Sequence, residues 1–375
     1  MLSPMKYVLL PVFGMAVSLA PQALPAQLSA NAVVVARGLN GPRGLHFGPD
    51  GDLYVAEAGT GGTNSTTDCP QVVPPVGPYK GGMTARISKF DKNWNQTIVA
   101  SGLPSAADAM GDLMGVADLQ FMNGTLYALI AGGGCSHGND TYPSGVVSVN
   151  TSNGTWRYVG DVSAFMHANP VQYPNAGDFE PDGSLYSMTS VNNALHLIEP
   201  NSGQLLRLDT FSGNITREID FSASQGHIVP TSVVYKNGSY LVGNLNLFPI
   251  EPHTSQVLTV SNFPSGTGTG VPGLNVPGPY YVNAAKAGFA TITGLALGPN
   301  GMLYVLQMAP DTPSQYPQPG YGKVTKINPD GSLTDVVTGL SVPTGMTFGP
   351  NGKLYISNWG AAGAGAGQIV VATVP

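Results

Sequence analysis

The chain is poor in charge: only 10% of its 375 residues are Asp, Glu, Lys or Arg. Lys and Arg total 15 and form no runs, so the basic stripe that a phosphate backbone requires is missing, and nucleic acid is excluded as a partner. Long apolar runs are also missing beyond the first twenty residues, which leaves nothing of the length a membrane helix needs. No Gly-X-Ser-X-Gly elbow, His-Glu-X-X-His pair or phosphate loop occurs, which removes the commonest hydrolase and nucleotide readings. The six histidines are scattered, none at metal-ligand spacing, and His46 beside Phe47 reads as a core residue of a strand.

What is present is turn material. Glycine numbers 50 and proline 32, yet 42% of residues are hydrophobic, enough to build a core and too many for a disordered polymer. Residues 1–30 have the form of an export signal: Lys6, an apolar stretch from Tyr7 to Ala20 broken by Pro11, then small residues at Ala26 and Ala30 as cleavage points. The expectation is a secreted chain whose domain spans 31–375, with no membrane span after cleavage. In that setting Cys69 and Cys135 are free to pair; two separate buried thiols are the alternative.

A turn followed by a strand recurs along the chain. Asp50-Gly51 precedes Asp-Leu-Tyr-Val, Asn123-Gly124 precedes Thr-Leu-Tyr-Ala, Asn237-Gly238 precedes Ser-Tyr-Leu-Val, Asn300-Gly301 precedes Met-Leu-Tyr-Val, and Asn351-Gly352 precedes Lys-Leu-Tyr-Ile. Asx-Gly between apolar runs is a strong hairpin signal, because a type I′ turn needs positive φ at both central residues. The remaining copy falls at Asn192-Asn193 in preference to Asp182-Gly183, because only the former is followed by a third strand, Gln204 to Leu208; Ser184 to Val191 is then an inner strand.

Around the first turn four strands can be read: Gly44–Phe47, Leu53–Ala56, Ala85–Lys89 and Thr97–Ala100. Six such units predict an all-β, six-bladed propeller with four-stranded antiparallel blades. The last copy stops one strand short after Gln368–Ala372, while Val33–Leu39 matches the outer strand Val336–Leu340 of the copy before it. The N-terminal strand is therefore expected to complete the last blade and close the ring.

In a blade of this kind the second strand rises to the face that carries the long loops. Counting six residues past each turn lands on Glu57, Ile130, Glu199, Asn244, Gln307 and Asn358. Five are polar at the end of an apolar strand, and such groups must find partners. Arg43, Asp112, Asp118, Asp178, Glu180 and His227 join that face through the loops entering the inner strands. Two readings follow: a funnel-lining ligand site from Glu57, Glu199, Asn244, Gln307, Asn358, Arg43 and Glu180, or a set of caps that pin loop to blade. His227, ahead of Ile-Val-Pro-Thr and near Asn244 and Asn246, is the histidine placed to act as a base. For a metal, Glu57, Glu199, Asn244, Asn358 and Asp112 supply oxygen ligands of the kind Ca²⁺ takes.

Sequons stand at Asn64, Asn95, Asn123, Asn139, Asn150, Asn153, Asn214 and Asn237; all but Asn64 and Asn139 map to turns on the face opposite the funnel. Gly/Pro/Tyr-rich inserts at Gly59–Gly82, Asn262–Tyr281 and Pro310–Tyr321 read as recognition loops.

The segments Gly38-Leu-Asn-Gly-Pro-Arg-Gly-Leu-His-Phe-Gly-Pro-Asp-Gly51, Leu53-Tyr-Val-Ala-Glu-Ala-Gly59 and Thr293-Gly-Leu-Ala-Leu-Gly-Pro-Asn-Gly301 resemble the ScyD/ScyE family of exported propellers, over nearly the whole mature chain. That resemblance implies fold and export and no catalytic set; the density of sequons departs from the family's bacterial pattern. The function expected is a secreted propeller that presents its funnel to a small molecule, glycan or protein. The alternatives are a Ca²⁺-dependent hydrolase with the architecture of gluconolactonase and paraoxonase propellers, or an accessory protein in secondary-metabolite biosynthesis.

Overall fold

A computed structural model describes residues 27–262 and 280–375. The expected export signal, apart from its last four residues, lies outside the described residues, as does the middle of the insert at Asn262–Tyr281. Among the described residues, no helix is long and apolar enough to cross a membrane.

The strands in chain order are β1 (Ala32–Leu39), then β2 (Pro42–Phe47), β3 (Leu53–Glu57), β4 (Lys80–Phe90), β5 (Gln96–Ala107) and β6 (Leu113–Met114) in blade one. Blade two holds β7 (Val116–Met122), β8 (Thr125–Ile130), β9 (Gly145–Val149) and β10 (Trp156–Asp161). Blade three holds β11 (Ser187–Val191), β12 (Ala194–Glu199), β13 (Gln204–Leu208) and β14 (Ile215–Asp220). Blade four has β15 (Pro230–Lys236), β16 (Ser239–Asn244), β17 (Ser255–Asn262) and β18 (Tyr280–Phe289). Blade five has β19 (Ile292–Leu297), β20 (Leu303–Gln307), β21 (Gly322–Ile327) and β22 (Leu333–Leu340), and β23 (Gly345–Phe348), β24 (Leu354–Asn358) and β25 (Gly367–Ala372) begin blade six. Six antiparallel sheets result, and the last has the order β1-β25-β24-β23, so the N-terminal strand completes it as expected.

The ring is held by apolar contacts between neighbouring blades. Ile87 and Leu103 pack on Leu119 and Leu126, Val146 on Leu195 and Leu206, Leu205 and Phe221 on Val242 and Leu258, Val257 on Leu295, Leu306 on Ile356, and Val371 on Leu45 and Val55. Each of the six inter-blade faces thus has an apolar core, and a leucine fully buried in one contributes about 2 kcal/mol.

The turns divide into two kinds. Asn123-Gly124, Asn192-Asn193 and Asn237-Gly238 have positive φ at both residues, as type I′ requires. At Gly48–Gly51, Gly298–Gly301 and Gly349–Gly352 a proline follows the first glycine, and only the last glycine has positive φ. There the first glycine accepts from the last, Gly51 N–H to Gly48 O at 3.0 Å, because proline fixes φ near −65° and imposes a longer turn.

Three further departures concern the loops. Blade one is larger than expected: β4 starts at Lys80, β5 runs on to Ala107, and the short β6 adds a fifth strand. A helix α1 (Val162–Ala168) follows β10, where the Asp161 carboxylate accepts from Ala164 N–H at the helix N-terminus. The insert at Asn262–Tyr281 joins the third and outer strands of blade four. Its ends therefore leave from the face opposite the funnel, not from the funnel face as expected.

Candidate functional site

On the loop-bearing face the segments that enter the inner strands surround a cavity of about 200 Å³. Its wall is mainly apolar: Val76, Leu113, Met114, Phe179, Leu185, Val229, Leu245, Phe248 and Met308. The polar groups on it are few, namely Arg43, Asp112, Glu180, Tyr79, Tyr186, Ser184 and Asn201, with Thr231 and Thr293. Both threonine hydroxyls are already donated to carbonyls, Thr231 to Ile292 O and Thr293 to Pro343 O.

Arg43 donates through Nη2 to Asp112 Oδ1 at 3.0 Å and to Leu113 O, so its charge is balanced inside the site. Tyr186, from the segment ahead of β11, reaches across the axis and donates to Thr344 O, which leads into β23 of the opposite blade, at 3.1 Å. Its ring forms the floor between this cavity and a second, of about 150 Å³, lined by the inner strands. Burial pushes the Tyr186 phenol far above the ordinary range, so it stays neutral.

Glu180 closes one side. Tyr79 Oη donates to its Oε1 at 2.7 Å, and its Oε2 lies 3.0 Å from His137 Nε2. His137 Nδ1 in turn lies 2.6 Å from Gly133 O, so both ring nitrogens face acceptors. Burial works to lower the His137 pKa, but the Glu180 carboxylate and the Gly133 carbonyl outweigh it and raise it above the ordinary value. An acceptor at each ring nitrogen favours a proton on both, and His137 so protonated balances Glu180 on this wall.

The Cys69–Cys135 disulfide is formed and ties this wall together, with a Cα separation of 6.2 Å. Cys135 begins the short turn of 3₁₀-helix that carries His137, while Cys69 stands in the insert that supplies Val72, Val76 and Tyr79 to a small apolar cluster with Ala106. Thr66 Oγ1 also donates to Cys135 O.

The expected ring of strand-end residues is placed differently. Glu57, Glu199, Asn244, Gln307 and Asn358 are buried but do not line the cavity, and neither does Ile130. Each holds a connection of its own blade. Glu57 accepts from Asn40 N–H at 2.7 Å and from Arg86 at 2.8–2.9 Å; Gln307 accepts from Ala290 N–H, and Asn358 from Ser341 N–H. Glu199 accepts from the Asn201, Ser202 and Ser184 N–H groups, and Asn244 Nδ2 donates to Ile228 O. The capping arrangement is what these residues form, since a strand-end polar side chain in an apolar inter-blade layer bonds the nearest unpaired linker amide. Of the expected ligand residues, Arg43 and Glu180 are the two at the cavity.

The same geometry bears on calcium. Four of its expected ligands, Glu57, Glu199, Asn244 and Asn358, are committed within separate blades, and Asp112 alone faces the cavity. Among the described residues no three His, Cys, Asp or Glu side chains are grouped to hold a metal ion. This donor set does not fit Ca²⁺ as it stands.

His227 is paired, with Nδ1 2.7 Å from Asp178 Oδ1, and its Nε2 is buried against Gly177 without a hydrogen-bond partner. The pair ties the loop carrying Phe179 and Glu180 to the linker carrying Val229; His227 itself does not line the cavity. Asp118 lines the second cavity and accepts from the Met188 and Leu119 N–H groups at 2.8 Å. Gly44 must be glycine, because a Cβ there would lie 1.9 Å from Asp118 Oδ1. Burial pushes Asp118 up to about 7, and burial with the Asp112 charge does the same to Asp108. Of the sequon asparagines, Asn64, Asn95, Asn123, Asn150, Asn153, Asn214 and Asn237 are exposed. Asn139 is buried, and its amide donates to Ser105 O and Gly132 O, which removes it as an acceptor of a glycan in the folded chain.

Tyr79, His137, Phe179, Tyr186 and Phe248 belong to the site and were not picked out from the sequence. Tyr79, His137, Phe179 and Phe248 sit in loops or linkers outside the repeat, while Tyr186 lies in the stretch Ser184–Val191 expected as an inner strand, which begins only at Ser187; Tyr79 lies within the first insert, which is the one signal that pointed toward it.

No family model and no curated protein sequence matches the chain. Solved structures do resemble it. Regucalcin, a calcium-binding protein from Agrobacterium tumefaciens, aligns over 92% of this chain and 94% of its own at 10% identity and a TM-score of 0.53. A gluconolactonase from Xanthomonas campestris aligns over 96% and 99%, at 10% identity and a TM-score of 0.52. A putative glucose dehydrogenase from Thermus thermophilus aligns over 92% and 100%, at 17% identity and a TM-score of 0.51. At such identities the likeness is one of fold: the chain shares the six-bladed architecture of gluconolactonase-type propellers.

Proposed function

We propose that this is a secreted binding propeller whose funnel holds a small, uncharged, largely apolar molecule of one or two rings that carries a hydroxyl group. The observation that supports this reading is the cavity of about 200 Å³ whose charges are all internally balanced, Arg43 by Asp112 and Glu180 by His137. A charged ligand would meet a wall with no net charge to offset its desolvation, whereas an apolar ring gains from burial. A cavity of 150 Å³ lined by apolar side chains admits benzene, so one or two rings match the space. The hydroxyl has the Glu180 carboxylate to donate to and Tyr186 and Arg43 beside it.

The test is calorimetric titration with p-cresol and 2-naphthol, with benzoate as the charged control. Saturable binding of the phenols, weakened at least tenfold by Glu180→Gln, supports the reading; preference for benzoate or no binding refutes it. Export and kinship with the ScyD/ScyE family belong to the same proposal and rest on the N-terminal pattern and the quoted segments.

A metal-assisted lactonase is the second reading, favoured by the gluconolactonase among the structural neighbours. It requires Ca²⁺ bound through residues that are now committed elsewhere. Calcium binding by the purified protein, with lactone hydrolysis lost on chelation, would displace the first reading.

A further inference from the structure

The face opposite the funnel carries a groove of about 380 Å³ at the seam where blade six meets blade one. Phe47 and Phe90 come from blade one, Tyr355 from blade six, and Trp94 from the turn between β4 and β5. The rings form a run: Phe47 to Tyr355 at 4.9 Å, Tyr355 to Trp94 at 6.1 Å, and Trp94 to Phe90 at 6.1 Å. Val33 of β1, 57% exposed, lies along one side.

Trp94 is in the wrong backbone conformation for its size. Its φ is 66°, in the left-handed region. The same next-to-last position of the outer turn holds Gly154 in blade two, Gly213 in blade three and Gly331 in blade five, with φ of 74°, 77° and 80°. Glycine reaches that region freely and a bulky side chain does not. The turn compels it: Asp91 Oδ1 accepts from the Asn93 and Asn95 N–H groups, Asp91 Oδ2 from Asn95 Nδ2, and Trp94 N–H donates to Asp91 O at 3.0 Å. Strain of this kind persists where a side chain has a task. Filling the seam is not fully that task, since the groove stays open beneath the ring.

We propose that this groove binds an acidic saccharide, its ring laid against Trp94 and its carboxylate facing Lys92 and Lys353. A pyranose offers an apolar C–H face to an aromatic plane and hydroxyls at its edge, which suits an aromatic floor with a polar rim. The rim gives the sign of the charge. Lys92, Lys353 and Asp91 line it, and the one carboxylate is already bonded by three amide N–H groups of its own turn, so the rim is net positive. Both lysines are exposed and reach the groove from different blades. This site is separate from the funnel and stands whether or not the funnel reading holds.

The test uses the whole chain, made in the bacterial periplasm so that the disulfide forms and Asn95, next to Trp94 in the same turn, remains bare. Digalacturonate is titrated and followed by calorimetry, which reads the variants as well as the wild type, with cellobiose as the neutral control. Expected is saturable binding with Kd on the order of 1 mM, at least fivefold tighter than cellobiose. Trp94→Gly should abolish it, with the Tm lost to missing packing on Phe90 and Tyr355 partly offset by relief of the left-handed conformation. Lys92→Ala with Lys353→Ala should weaken it at least fivefold with Tm unchanged. Absence of saturable binding overturns the proposal, as does wild-type affinity in either variant; a Trp94→Gly chain that loses Tm and still binds makes Trp94 a brace of the seam.

Discussion

The two faces of the ring are built by different rules. On the face opposite the funnel the outer turns close largely on themselves, Asp91 accepting from Asn93 and Asn95, Asp209 from Phe211 and Ser212, and Asp330 from Ser332, with side chains such as Lys236 and Lys286 reaching only the turn of the next blade. On the funnel face the partners are remote: Tyr79 and Glu180 are 101 residues apart, and Tyr186 and Thr344 are 158 apart. Repetition writes the first face; the segments that differ from blade to blade write the second. A site that must differ from its blades can only be assembled from the second kind of contact.

The largest break in that contrast should come from removing the long-range covalent tie. Cys69 and Cys135 are 66 residues apart, and opening a loop of that size costs roughly 4 kcal/mol in the chain-entropy model. Cys69→Ser with Cys135→Ser should show this loss in denaturant unfolding. It should also loosen the Tyr79–Glu180–His137 wall, read as faster hydrogen exchange in residues 64–81 and 134–139 with the bottom turns unchanged. Uniform loosening of both faces would deny that the disulfide acts on the funnel.

Glu57 gives the next largest effect. Glu57→Gln removes a buried carboxylate bonded to Arg86, Ser88 and Asn40 N–H, and breaking a buried pair by losing one partner costs about 3 kcal/mol. The same substitution should leave binding in the funnel unaltered, because Glu57 does not face it. Lost binding at unchanged stability would return Glu57 to the site.

That pair of outcomes marks how far the sequence could be read. The blade count, the choice of Asn192-Asn193 and the borrowed strand β1 were all legible, because turn chemistry and strand alternation are local and repeat. The position of Glu57 at a strand end was legible too; the direction of its side chain was not. Whether it met the axis or the Asn40 linker depended on the packing of a neighbouring connection, and nothing local encodes that. Tyr186 was invisible for a related reason: a tyrosine between Leu185 and Ser187 looks like one more strand residue until the opposite blade supplies Thr344.

The N-terminal segment sharpens the comparison from the other side. Leu28 packs partly buried against the last two blades, Ser29 N–H donates to Thr338 O at 3.0 Å, and Thr338 N–H donates to Ser29 Oγ. Of the two expected cleavage points, Ala26 preserves these contacts and Ala30 discards them. A chain starting at Asn31 should therefore be less stable than one starting at Gln27 by about 2 kcal/mol, measured by thermal unfolding, and the proposed export is tested by mass analysis of secreted material, expected to find Gln27 first. Tyr186→Phe is milder: it deletes one hydrogen bond, worth about 1 kcal/mol, and keeps the floor of the cavity in place.

The dependence of stability on pH separates the two faces in another way, because their carboxylates titrate in different ranges. Asp91, Asp209 and Asp330 lie below the ordinary carboxylate range, held there chiefly by Asn95, Ser212 and Ser332. A lowered acid contributes stability above its unfolded pKa and loses it as pH falls, so these turns weaken only below about pH 4. Asp108 and Asp118, pushed up to about 7, do the reverse. The folded chain holds their protons longer than the unfolded chain does, so their contribution is full below about pH 4 and declines as pH rises toward 7. The raised His137 adds to that decline at higher pH, while His46, lowered by burial, opposes it just below about pH 6.5. Tm should therefore fall from pH 5 to pH 8, and the fall should be shallower in Asp118→Asn whatever that variant's absolute stability. An equal slope in the two proteins would mean that Asp118 is ionised in the folded chain throughout, and that the inner channel is wetter than its packing indicates.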